Sequence, residues 1–110
     1  MAKYETKLTG DFYTVLNRLD RGLLESSSSA SYEDGSDWRL GDVHCAVRVY
    51  ERYSAMGGNR VSLTLTLLGN GEDLYLSAIT AGGSQAMFWK MNTIGEEAFL
   101  EKLIELAEEQ

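Results

Sequence analysis

The stretch from Val43 to Met91 limits the fold more than any other part of the chain. It reads as strands separated by glycine turns: Val43–Tyr53, a turn at Met56-Gly57-Gly58-Asn59, Val61–Leu68, a turn at Gly69-Asn70-Gly71, Leu74–Thr80, a turn at Gly82-Gly83, and Gln85–Met91. Each linker is short enough for a hairpin, so the strands form an antiparallel meander. On Val61–Leu68, Val61, Leu63, Leu65 and Leu67 take one face, and Ser62, Thr64 and Thr66 the other. A sheet that is apolar on one side and hydroxylated on the other wants helices on the apolar side.

The flanking segments supply those helices. Tyr4, Thr6 and Leu8 alternate with Lys3, Glu5 and Lys7, the pattern of a half-buried first strand. Thr9, Gly10 and Asp11 break it, and Thr9 or Asp11 can cap the next element. Phe12, Val15, Leu16, Leu19 and Leu23 then recur at helical spacing, which predicts an amphipathic helix over Phe12–Leu24. The serines Ser26 to Ser29 lead out of it into a weak strand at about Ser28–Glu33. Asp34-Gly35-Ser36-Asp37 reads as a turn, with Trp38 and Leu40 in the connection that follows. Near the end, Thr93 and Glu96 have capping-box spacing. Phe99, Leu100, Leu103, Ile104 and Ala107 mark a second helix over Ile94–Glu108. The expectation is a single α+β domain over residues 1–110: a two-layer sandwich with two helices on one face of an antiparallel meander sheet (β-α-β4/5-α).

Charge narrows the partners. The net charge is -7, and the segment Glu96–Gln110 holds six glutamates against Lys102 alone. Nucleic-acid binding needs clustered Lys and Arg, so no nucleic-acid partner is expected. No apolar run reaches the ~18–20 residues that span a bilayer, so no membrane partner is expected either. The single Cys45 excludes an internal disulfide and suits a reducing, cytoplasmic setting.

No catalytic or metal-binding set assembles from the sequence. Cys45 shares a strand face with Val43, Val47 and Val49 and reads as a small buried apolar residue. His44 points to the opposite face, so it does not activate the thiol. One histidine and one cysteine on opposite faces cannot make a zinc site. Gly57-Gly58-Asn59-Arg60 lacks the ending of a phosphate-binding loop and is followed by a strand. The glutamates of the last helix read as a solvated face. No cofactor is expected.

The feature of most weight is the row His44, Arg48, Tyr50 and Arg52 on one face of strand Val43–Tyr53. Taken as the face away from the core, it is either a solvated surface with cross-strand ion pairs or a docking face for an anionic ligand or a second subunit. Trp89 joins this candidate face from the last strand. There Met87, Trp89 and Met91 lie on one side and Phe88 on the other, so large apolar area stays opposite the helices.

The element order is similar to that of TATA-box-binding-protein halves and, in shortened form, of helix-grip ligand-binding proteins, a likeness that carries no function. The chain also resembles a small family of uncharacterised bacterial proteins. That resemblance rests on Leu40-Gly41-Asp42-Val43, on Cys45-Ala46-Val47-Arg48-Val49-Tyr50-Glu51-Arg52-Tyr53-Ser54, on Gly57-Gly58-Asn59-Arg60-Val61 and on Gly82-Gly83-Ser84-Gln85-Ala86. It implies a bacterial cytoplasmic protein and supplies no catalytic residues. The expected function is a non-enzymatic binding or interaction module, a homo-oligomer assembled through its open sheet face or edge. The alternative is a small-molecule binder with a pocket between sheet and helices, and an enzyme ranks third.

Overall fold

The structure is a computed structural model that describes residues 1–54, 59–82 and 89–109, without the side chains of residues 54, 59 and 89–95. Strand β1 spans Ala2–Thr9, helix α1 Phe12–Glu25, β2 Ser31–Leu40, β3 Val43–Ser54, β4 Asn59–Asn70, β5 Asp73–Gly82 and helix α2 Trp89–Glu108. The five strands form one antiparallel sheet in the order β1-β5-β4-β3-β2. The fold is an α+β sandwich with both helices on one face.

Helix α1 follows from its sequence. The Asp11 side chain accepts the Thr14 N–H at 3.0 Å and so caps the first turn. The Thr14 hydroxyl, donating to the same carboxylate at 2.9 Å, and then the Thr14 N–H hold the Asp11 carboxyl below its ordinary range. Phe12, Val15, Leu16, Leu19 and Leu23 are all buried, as their spacing predicts. They meet Val61, Leu63, Leu65 and Leu67 of β4 and Leu74, Leu76 and Ala78 of β5. Phe99, Leu100, Leu103 and Ala107 of α2 complete the core. The two helices approach closely at Gly22, where an added Cβ would lie 2.4 Å from the Leu106 side chain.

Several expectations are corrected. The segment Asp34-Gly35-Ser36-Asp37 is not a turn: it lies inside β2, which pairs with β3 from Ser31↔Glu51 to Leu40↔Val43. Its polar residues suit an exposed edge strand as well as a turn. Gly35 is needed there because a Cβ would come within 2.9 Å of the Val47 carbonyl oxygen. The chain reverses instead at Gly41-Asp42, with Gly41 at φ 60, as a two-residue hairpin turn with glycine first requires. The next tight turn is likewise Gly71-Glu72, with Gly71 at φ 62, and not Gly69-Asn70-Gly71. Gly69 lies within β4, close under the Phe12 ring.

The expected strand Gln85–Met91 also changes. Residues 89–91 open α2, which therefore starts before Ile94, and Thr93 is not its cap. Glu96 is buried instead, its carboxylate accepting the Gly82 N–H at 2.6 Å and lying 3.0 Å from the Met1 amine. The turns expected at 56–59 and 82–83, and residues 85–88 with Met87 and Phe88, lie wholly or partly outside the described residues.

The largest correction concerns β3. Its register with β4 places Ala46 beside Leu67, Arg48 beside Leu65, Tyr50 beside Leu63 and Arg52 beside Val61. Partners in a sheet share a face, so the row His44, Arg48, Tyr50, Arg52 lies on the helix side. Val43, Cys45, Val47 and Val49 lie on the open side and are only partly buried. Cys45 and Val47 are therefore not core residues, whereas Leu65 is fully buried as expected.

Candidate functional site

The helix-side row is built from residues with apolar bodies and polar tips, which can lie beside a core and still satisfy their polar atoms. The His44 ring lies 5.3 Å from that of Phe12 and 5.8 Å from that of Tyr13, on α1. Arg48 grips Asp37 of β2 through two bonds, at 2.8 and 3.2 Å, and a third reaches the Val47 carbonyl at 2.9 Å. Asp37 raises the pKa of the Arg48 guanidinium. Tyr50 is fully buried, and its hydroxyl donates to Asp20 of α1 at 2.5 Å. Burial, then the bond to Asp20, pushes this phenol far above its ordinary range. The Arg52 guanidinium sits 5.0 Å from the centre of the Phe99 ring, and burial lowers its pKa.

The structure thus brings four of the sequence-predicted residues together on one strand face. It gives each of them a partner inside the chain. An anion at Arg48 would have to displace the Asp37 carboxylate. The fifth, Trp89, has its backbone in the first turn of α2, and its side chain lies outside the described residues.

Among the described residues, no helix lies on the other side of the sheet. Strand pairing lays its side chains out as rows across β1, β5, β4, β3 and β2. One row is Lys7, Tyr75, Leu68, Cys45 and Trp38, flanked by one ending at Val43 and Leu40 and another containing Val47 and Ser36. Further along come Lys3, Ile79, Thr64, Val49 and Asp34. Leu40 is 83% exposed, Trp38 71%, Leu68 44%, Tyr75 41% and Ile79 40%. Trp38, Leu40, Leu68 and Tyr75, with Val43 and Cys45 between them, form a contiguous apolar patch, from which Ile79 is set apart by Ser77. Such a patch on a sheet face is a mark of a contact surface. Trp38 and Leu40 stand at the β2 edge. A depression of about 660 Å³ runs beside them across the same end of the sheet, from Val43 of β3 past Leu68 and Asn70 of β4 and Tyr75 of β5 to Lys7 and Thr9 at the β1 edge.

This surface is not evident from alternation within β3, which puts Val43, Cys45, Val47 and Val49 in the core and leaves Trp38 and Leu40 in a connection. The available signal was the pair Gly41-Asp42: a two-residue turn there sets Leu40 opposite Val43 and Trp38 opposite Cys45.

Between sheet and helices, Leu19, Leu63, Leu65, Leu67 and Leu76 are all at zero exposure, so that interface is filled by side chains. Among the described residues, no group of three His, Cys, Asp or Glu could hold a metal ion. No helix among them is long and apolar enough to cross a membrane.

One protein-family model, described as a family of unknown function (DUF6054), matches residues 1–110. No curated protein matches the chain, and no solved structure does.

Proposed function

The chain belongs to that family of unknown function, and from its surface we propose that it is an interaction module that pairs with a second copy of itself through the open sheet face. The observation that carries this reading is the apolar patch of Trp38, Leu40, Leu68 and Tyr75 on a face that bears no helix among the described residues. Two further points favour a second copy as the occupant. Five strands about 4.8 Å apart and five alternate positions about 6.8 Å apart give a flat area of roughly 800 Å². A standard interface takes about 800 Å² per partner, so a copy of the same sheet fits the face. The acidic excess is also out of the way. Glu97, Glu101, Glu105, Glu108 and Glu109 are exposed on or just after α2, on the other side of the molecule. At the rim of the open face Arg60 is neutralised by Glu51 at 2.7 Å.

The single Cys45 and the resemblance to bacterial proteins fit a reducing bacterial cytoplasm as the setting. Light scattering over a dilution series tests the pairing. The native chain is expected at twice its 12.2 kDa mass at high concentration, and Leu68→Asp at the monomer mass with an unchanged circular dichroism spectrum. Cys45 is expected to react with a thiol reagent faster in that variant than in the native dimer. A native chain that stays monomeric at all concentrations refutes the reading.

A further inference from the structure

The open face has a direction, and it fixes how two copies would meet. Resting on the pairing proposed above, we infer that the two-fold axis runs along the strands over β4, so that the β2 edge of each copy lies over the β1 edge of the other.

Two ways of stacking this sheet on itself keep the strands aligned, as face-to-face sheets commonly are. With the axis across the strands, β1 lies over β1. The open-face residues of that strand are Lys3, Glu5 and Lys7. Lys7 would then meet the partner's Lys3, twice, and Glu5 the partner's Glu5, so like charges would face each other in a desolvating interface. With the axis along the strands, β1 lies over β2, whose open-face row is Leu40, Trp38, Ser36 and Asp34. Lys3 then lies near Asp34, and Lys7 near Trp38, where an ammonium over an indole face is attractive.

Shape gives the same answer independently. The exposed side chains Trp38 and Leu40 stand at the β2 edge, and a depression in the same rows runs from Val43 of β3 to the β1 edge, where Lys7, Thr9 and Tyr75 line it. An axis along β4 carries each protrusion into the partner's depression. The contact is isologous and closes at two copies, so it leaves no free face for a filament. At its centre Leu68 packs on Leu68, and Tyr75 covers Cys45. Trp38, seated in a pocket of the partner, is the anchor of the interface, the usual role of a buried tryptophan.

Disulfide trapping decides between the arrangements. In a Cys45→Ser background, a Lys3→Cys chain is mixed with an Asp34→Cys chain, and separately with a Lys7→Cys chain. Cross-linking is expected in the first mixture and not in the second. Trp38→Ala is expected to raise the dimer dissociation constant at least tenfold. The pair Lys3→Asp with Asp34→Lys is expected to restore what either change alone weakens. Cross-links between positions 3 and 7, with none between 3 and 34, overturn the orientation. If neither mixture cross-links while Leu68→Asp still dissociates the native dimer, the orientation falls and the pairing stands. If the native chain is a monomer, the underlying reading has failed.

Discussion

Replacing Tyr50 with phenylalanine removes one oxygen from the interior and leaves the ring in place. That oxygen donates to Asp20 at 2.5 Å, and the residue has no exposed surface. A hydrogen bond to a charged group is worth about 1.5–3 kcal/mol, and because Asp20 is only half-buried the lower end applies, about 1.5 kcal/mol at pH 7. The more telling consequence is in alkali. In the folded chain the phenol is held protonated far above its ordinary range, by burial first and by Asp20 second. In the unfolded chain it ionises near pH ~10. A folded pKa above the unfolded one gives stability that is complete below the unfolded value and is lost as pH rises past it. The loss reaches about 1.4 kcal/mol per pH unit. The native chain's advantage over Tyr50→Phe should therefore hold from pH 7 to 9, shrink through pH 10 and be close to zero near pH ~11. Urea denaturation followed by circular dichroism, at equal concentrations of the two chains, measures it. Other titrating groups act equally on both and cancel. An equal gap at pH 7 and 11, or no gap at pH 7, would refute the buried Tyr50–Asp20 bond.

Two core changes test the sheet itself. Leu65 is fully buried, so Leu65→Ala should cost on the order of 2–5 kcal/mol in chemical denaturation; a loss well under 1 kcal/mol would contradict the helix-facing assignment of β4. At Gly69 an added Cβ would lie 2.7 Å from the Phe12 ring and 2.9 Å from Leu74. Gly69→Ala should therefore lose about 1–3 kcal/mol, and an unchanged midpoint would mean that α1 does not press on β4 there.

Much of the fold was legible because some patterns admit one reading. The α1 stripe of Phe12, Val15, Leu16, Leu19 and Leu23 fits no other element. The alternation of apolar residues with hydroxyls on β4 made its inner face plain. β2 was not legible as a full strand, because an edge strand solvated on both sides carries the polar, glycine-containing composition of a loop. Its only large open-face side chains, Trp38 and Leu40, are among the most exposed in the chain. The start of α2 was hidden by Gly95 and by a capping-box spacing at Thr93 and Glu96. Glu96 has a different task, holding the Gly82 N–H at the end of β5.

β3 shows why the site was harder to read than the fold. Both of its rows can face a core. Valines suit a pleated strand whether or not they are buried, so Val43, Val47 and Val49 say little about which side is inside. The opposing row contains Ala46 and Tyr50, which are buried, and Arg48 and Arg52, whose stems can lie along apolar surface while their tips find Asp37 and the Phe99 ring. What decides between the rows is the neighbour. β4 has one apolar face, it pairs with β3 along its whole length, and the register sets Leu63 and Leu65 beside Tyr50 and Arg48. That register depends on how the chain passes from β3 to β4, which alternation within a single strand does not encode. Once it is fixed, the valines must face outward, and Trp38, Leu40, Leu68 and Tyr75 join them. The chain thus places amphipathic side chains against its own helices and keeps an apolar row on the other side, an arrangement that the core does not require and that the pairing proposed above would use.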